Sequence, residues 1–556
     1  MRILRLRRAL LFVLLTVFFV TASACSSRVK DPKYTVTFDA DGGIGVSSVV
    51  TAEIARAPAP EKPDCAFEGW YLDRDRTARA YFPYRPTKDV TLYAKYVSFS
   101  EGNEESVYTP YGEGLLLSSY DGESGSLVLP RLHEGKPVLG IEEGAIVYAY
   151  ALTDVYFYAM ETVETNFSIY PYLQRFYQFG QGGTFSVQED VLFADEGETL
   201  FCYPRAKMNE SYTVPEGTKT IKNNAFRNAD HLREITINAD CQGIEDRFVD
   251  NKNLSYIRVF DNEKYSDDKG VLYEGGTLLR YPAVRKDKSY TLPERTESIA
   301  DDAFSHTNIQ SLTINKDCRS FGLQTDMDSL TRIDVESASE YFSSVDGVLY
   351  DREGTIIRYP SGSDSEAYTL DKRTKTVEAF AFCHATKLKA IIFPNSVVSV
   401  PAYSISDCSI ENIVFQEGSG LNSLGDGFVA NNGVLFSLTL PLRNPPKTTP
   451  SALSDVASAI FVPDNAVDLY RYLWRPLADK IQGVGKNLPE YPVHFSLYDD
   501  EVADYMVACV VKEPIYSREG YSFAGWYYDE TYVKEVSFPF LPDEETTLYA
   551  KWNLLG

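Results

Sequence analysis

At 556 residues, with 44% hydrophobic and 24% charged residues, the chain is globular in composition but too long for one ordinary core, which leaves several domains or an elongated array. Its formal net charge of −25 excludes a body built to hold nucleic acid phosphates or anionic lipid headgroups. Beyond Cys25, the cysteines Cys65, Cys202, Cys241, Cys318, Cys383, Cys408 and Cys509 are odd in number and form no C-x-x-C pair, so they make neither a disulfide framework nor a zinc motif.

The chain opens with an Arg-rich start, an apolar stretch from Ala9 to Val20, and the small residues Ala22, Ser23 and Ala24 before Cys25, which predicts a signal peptide over 1–24. That stretch is too short for a comfortable membrane span, and no later segment reaches the roughly 18 apolar residues a span needs. Ala22-Ser23-Ala24-Cys25 resembles a bacterial lipobox, which implies acylation of Cys25, a tether over 25–32 and a membrane as partner through the lipid. An ordinary secretory cleavage site ahead of a cysteine is the alternative. Removing 1–24 takes away four arginines and no acid, so the charge becomes −25 − 4 = −29.

Residues 33–97 run from "YTVTFDADGG" through "FEGWYLD" at 67–73 to "DVTLYAKY" at 89–96, and the same order returns over 491–556 as "VHFSLYDD", "FAGWYYD" and "TTLYAKW". Trp70 to Tyr93 and Trp526 to Tyr549 are both 23 residues (93 − 70 and 549 − 526), so these are two copies of one small β-rich domain packed on its tryptophan. The second copy lacks the pair Gly42-Gly43, and its first turn is expected to differ.

Between them, "SYTVPEGTKTIKNNAF" at 211–226 nearly repeats at 289–304 and 367–382, with Phe226, Phe304 and Phe382 standing 78 residues apart (304 − 226 and 382 − 304). Before each copy lies a hairpin pattern ending at Tyr203, Tyr281 or Tyr359, and after each a short alternating strand, "LREITI", "IQSLTI" or "LKAIIF". Seventy-eight residues make about three coils of twenty-odd residues, and coils that cannot bury their apolar face alone must stack. Residues 127–146 read as a degenerate first coil with Ile146 in place of Phe, and 460–481 as a strand followed by a capping helix carrying Val467, Tyr470, Leu473 and Trp474 on its apolar face. Cys241 and Cys318 end the related strings "INADC" and "INKDC" and are expected at equivalent buried positions.

The repeats resemble the BspA-type leucine-rich repeat family of bacterial surface proteins, over about residues 108–487, with departures at 145–180 and 408–455 where insertions or decayed coils are expected. The terminal domains resemble the internalin-type B-repeat. The expected fold is therefore mainly β: a leucine-rich repeat solenoid flanked by two small β-grasp-like domains. The resemblance implies adhesion, with a protein or glycan ligand, at the cell surface; a structural envelope scaffold, or a receptor component of a surface assembly, is the alternative.

No catalytic constellation is present, so neither an enzyme nor a cofactor is expected. His231, His306 and His384 follow the repeated "AF" element, but whole modules separate them, and they read as solvated turn residues rather than a metal ladder. "DADGG" at 39–43 starts like a calcium loop, yet Val50 stands where the twelfth-position Glu belongs, so a plain hairpin turn is expected. The acid pairs Asp301-Asp302 and Asp499-Asp500 read as solvated turns rather than glycosidase carboxylates. The aromatic stretch 148–179 either fills a decayed coil or presents a contact surface; Tyr156, Tyr158 and Tyr172 are its candidate ligand contacts.

Overall fold

The structure is a computed structural model that describes residues 32–555 other than 55–57, 123, 148, 325, 433–434, 450–452, 454–455, 490, 499–500, 509–510, 512, 515, 541 and 543. The signal peptide over 1–24, Cys25, nearly all of the tether, Asp499, Asp500 and Cys509 lie outside the described residues. By its internal contacts the chain divides into two compact units, residues up to 207 and residues from 208 onward.

The first unit begins with a four-stranded sheet in which Tyr34–Asp39 lies between Val49–Thr51 and Val90–Ser98, and Val90–Ser98 pairs in turn with Cys65–Tyr71. Trp70, 1% exposed, anchors this module against Val36, Leu92 and Ala94, and its indole nitrogen donates to Pro58 O. At Gly43 a Cβ would stand 2.1 Å from the Tyr96 hydroxyl, which itself donates to Ala40 O, so only glycine lets the chain pass.

The coils of this unit follow directly. Parallel strands Ser126–Leu129, Asp154–Phe157 and Arg175–Gln178 stack in register, so Leu127, Val155 and Phe176 share one inward row. Residues 145–180 are thus decayed coils, not insertions: Ile146 and Phe167 hold the place of the repeated phenylalanine, and Tyr170 donates its hydroxyl to Ile146 O from the next coil.

In the second unit the period is laid out in space. Each module contributes three parallel strands to one face: Ser211–Thr213, Glu234–Ile237 and Tyr256–Val259, then Ser289–Thr291, Ser311–Ile314 and Arg332–Val335. The third coil of each module carries a three-stranded meander, Tyr265–Asp268, Val271–Glu274 and Thr277–Arg280, and its counterpart at Phe342–Val345, Val348–Asp351 and Thr355–Arg358. The hairpins are as expected; the preceding strand of each meander, whose polar residues are consecutive, was not visible in sequence.

Phe226, Phe304 and Phe382 are fully buried, as are Ile235, Ile237, Leu312, Ile314, Ile391 and Phe393 of the alternating strands. Turns are closed by buried amides. Asn238 donates to Val214 O, Pro215 O and Thr218 O while its Oδ1 accepts from the Asp240 and Cys241 amides, and Asn315 repeats the arrangement with Pro293 O, Thr296 O and the amides of Asp317 and Cys318. Cys241 and Cys318 occupy equivalent buried positions, each with Sγ toward the carbonyl two residues on.

After Phe382 the modular pattern lapses but the sheet does not. Ala390–Phe393, Asn412–Phe415, Leu435–Thr439, Val456–Val462 and Ile481–Gly483 continue as parallel strands, so 408–455 is decayed coil. The cap is a one-turn 3₁₀ segment at Asp464–Ala466 followed by the α-helix Val467–Leu473. Its buried face is Leu469, Tyr470 and Trp474; Leu473, expected there, is 47% exposed, because the helix ends at that residue and the chain turns away into the segment Arg475–Lys480.

The C-terminal module repeats the N-terminal sheet order, with Trp526 buried in its core. Its first strand pair differs, Tyr491–Tyr498 and Glu501–Ala508 forming one long antiparallel pair where the first module has only a three-residue partner strand; the turn between them, at 499–500, lies outside the described residues.

Candidate functional site

Tyr156 lies on the outward face of its strand, since Val155 and Phe157 are the buried inward residues. That is what makes it look like a ligand contact. The structure overturns this: Tyr156 is 6% exposed, because the N-terminal module is docked over it through Ala66, Val97 and Phe99, and Arg175 donates to its hydroxyl at 3.0 Å. The docking also uses Ser126 Oγ, which donates to Phe67 O at 2.5 Å, and Asn103, which bridges Ser126 O and the Val128 amide. Burial pushes the Tyr156 hydroxyl far above its ordinary pKa.

Tyr158 is half-buried, packed edge-on against Phe179 with the Arg131 guanidinium 5.1 Å above its ring. Tyr172 is exposed. It belongs to a set that the sequence reading did not separate: Val147, Tyr150, Ile169 and Tyr172 are 39%, 66%, 56% and 60% exposed, on the turn segments that follow Ile146 and Phe167 in successive coils. Counting from those two anchors is the signal that finds them, since residues just past the inward aromatic sit on the turn.

A second concave feature lies in the other unit, a recess of about 410 Å³ lined by Arg227, Glu245, Asp246, Asp250, Asp301 and Asp302 among others. Its acids are taken up by neighbouring turn groups. Asp246 accepts from the Phe226 and Phe248 amides at 2.7 Å, Asp301 from the Leu323 amide, and Asp302 from the Ser305 hydroxyl. Next to it Arg280 is fully buried and donates to Asp302 O, Ser305 O and Val249 O; burial pushes its pKa down to about 10. Arg358, 78 residues on (358 − 280), makes the same kind of bonds to Phe380 O and Cys383 O.

The histidines lie on turns, as expected, but two of them are closer than the module spacing implies. His306 and His384 sit at left-handed turn positions, with φ of 61° and 62°, and both face one carboxylate: His306 Nε2 lies 3.6 Å and His384 Nδ1 3.2 Å from Asp326. His384 Nδ1 is also 3.0 Å from Asp328. The coil between spends its residues on the meander and crosses this face as the tight segment 359–362, where a Cβ on Gly362 would stand 2.5 Å from Asp328 O. Turns that are distant in coil count therefore meet. His231 is exposed elsewhere, so no three-histidine ladder forms.

Asp41, the candidate calcium-loop acid, pairs instead with Arg76 at 2.9 Å and Lys62 at 3.4 Å. Burial pushes the thiols of Cys202 and Cys408 up to about 12 and those of Cys241 and Cys318 up to about 11, and all six described cysteines are free.

These features define a repeat protein whose parallel coils form a solenoid of the leucine-rich type. Residues 199–270, 283–345 and 361–449 match the BspA type leucine rich repeat region in six copies, and residues 34–95 and 503–551 match the Listeria-Bacteroides repeat domain. Over those residues the solenoid is of the BspA leucine-rich repeat type, with a Listeria-Bacteroides repeat domain matched on either side. Among curated proteins, a membrane protein and a Gly-rich membrane protein of Evansella cellulosilytica are 32% and 31% identical over 147 and 145 residues, each covering 25% of this chain. The chain spans 20% and 16% of the lengths of these relatives. Similar solved structures include a leucine rich cell surface protein from Faecalibacterium prausnitzii (18% identity, 56% of this chain and 94% of that one, TM-score 0.38) and a leucine-rich repeat protein from Eubacterium ventriosum (15% identity, 49% and 81%, TM-score 0.34).

Proposed function

We propose that this chain is a non-catalytic bacterial cell-surface protein, lipid-anchored through Cys25, that binds a protein or glycan ligand on the turn face of its first coils. The observation that carries this reading is the exposure of Val147, Tyr150, Ile169 and Tyr172 on consecutive turns over a fully packed core of Phe167, Leu173 and Phe176. Scattered exposed apolar residues are ordinary, whereas a grouped set on a rigid framework marks a contact surface. Tyrosine anchors bind at small entropic cost, and their faces suit both sugar rings and apolar side chains. The lipobox-like Ala22-Ser23-Ala24-Cys25 and the family resemblance support the anchor and the surface location.

Two measurements test it. Protease shaving of intact cells is expected to release peptides from 148–179 without lysis; their absence from an abundant membrane-held protein favours the envelope scaffold instead. The double variant Tyr150→Ser/Tyr172→Ser is expected to lose binding to mucin- and matrix-coated surfaces while its circular dichroism spectrum is unchanged. Unchanged binding would remove this face as the ligand site.

A further inference from the structure

Beside the His384 turn stands a group that no part of this reading uses. Candidate ligand atoms of Cys383, His384 and Asp407 all lie within 4.8 Å of one another. Cys383 is 3% exposed, His384 half-buried and Asp407 exposed, so the three line a path from the core edge to solvent. They come from adjacent coils, joined where the His384 amide meets Ser406 O.

We propose that Cys383, His384 and Asp407 form a binding site for a borderline-soft divalent cation, Zn(II), that clasps these two turns together. A thiolate, an imidazole and a carboxylate are the donor set that zinc takes in proteins. The outer partners are also in place. Asp328 and Asp326 hold His384 Nδ1 at 3.0 and 3.2 Å, which leaves Nε2 as the nitrogen for an ion and makes the carboxylate–imidazole pairing typical of metal-bound histidine.

Charge favours the cation as well. Asp326, Asp328 and Asp407 outnumber the single buried guanidinium of Arg358, which donates to Cys383 O; burial pushes the Cys383 thiol up, so the thiol proton is displaced by the ion when it binds. One module earlier the place of Cys383 is taken by Ser305 (383 − 78), so the full donor set belongs to this junction rather than to the repeat.

Cobalt(II) is the probe, added to the reduced, chelator-treated full chain. The expected result is one bound ion per chain with a thiolate-to-cobalt charge-transfer band in the near ultraviolet, displaced by Zn(II), absent in Cys383→Ser and retained in Cys241→Ser. Asp328→Asn, an exposed substitution, is expected to keep the band but weaken affinity about tenfold or more. Absence of the band in the reduced wild-type chain, or its persistence in Cys383→Ser, overturns the site. Should Cys383→Ser fail to fold, Asp407→Asn, with its side chain at the surface, decides: weakened cobalt binding supports the site and unchanged binding overturns it.

Discussion

Arg280 and Arg358 show what a single residue can do in a stack of coils. Each guanidinium is almost wholly excluded from water and bonds to carbonyl oxygens of neighbouring turns, Asp302 O and Phe380 O being shared with the amides of Ser305 and Cys383. Replacing Arg280 with Met keeps the volume and removes the charge, but takes the guanidinium bonds from Ser305 O and Asp302 O, the latter keeping the Ser305 amide. Urea unfolding of Arg280→Met is expected to show a loss of about 1–3 kcal/mol; a neutral result would mean that shedding the desolvation cost offsets the lost bonds. At the matching place in the preceding module stands Cys202 (280 − 78), a small thiol that cannot reach across turns. His306 and His384 make a related point. Their residue type was visible, but their meeting at Asp326 depends on how short the intervening 359–362 segment is, and spacing in sequence does not report that.

At the scale of elements, periodicity was the legible part. Alternation in "LREITI" and its relatives predicts which residues are buried, and Ile235, Ile237, Leu312 and Ile314 are so because a strand sends every second side chain to one side. The cap helix was legible in place but not in phase: a helix of about two turns between 3₁₀ segments does not hold a constant angle per residue, so Leu469 took the buried position assigned to Leu473. This separates two variants. Tyr470→Ala is expected to cost about 3–5 kcal/mol in the unfolding of the terminal coils, and Leu473→Ser to change stability by no more than about 0.5 kcal/mol, both read by thermal unfolding. The leading strand of each meander was missed because its polar residues run consecutively, Ser266-Asp267-Asp268 in one and Ser343-Ser344 in the other, and so give no alternation to read.

At the scale of the molecule, the terminal domains are held in different ways. The N-terminal module is seated on the first coils by backbone bonds and an apolar cluster, whereas the C-terminal module is tied to the last coils through Arg443, which donates to Pro489 O at 2.6 Å and Pro542 O at 2.9 Å and lies 4.7 Å from the Tyr491 ring. Arg443→Ala is expected to speed proteolysis within 484–490 while leaving 98–106 as resistant as before; equal rates at both sites would show that Arg443 is not the tether. The 78-residue period, the paired Trp modules and the inward phenylalanines were determined by the sequence alone, since each is a local pattern that repeats and stacking demands the same residue at the same depth. Only the tertiary structure decided that Tyr156 is covered, that Tyr150 and Ile169 join Tyr172 on the turns, and that Cys383, His384 and Asp407 converge. Those outcomes rest on which domain docks where and on how sharply each coil turns, and both are set by contacts between residues far apart in the chain.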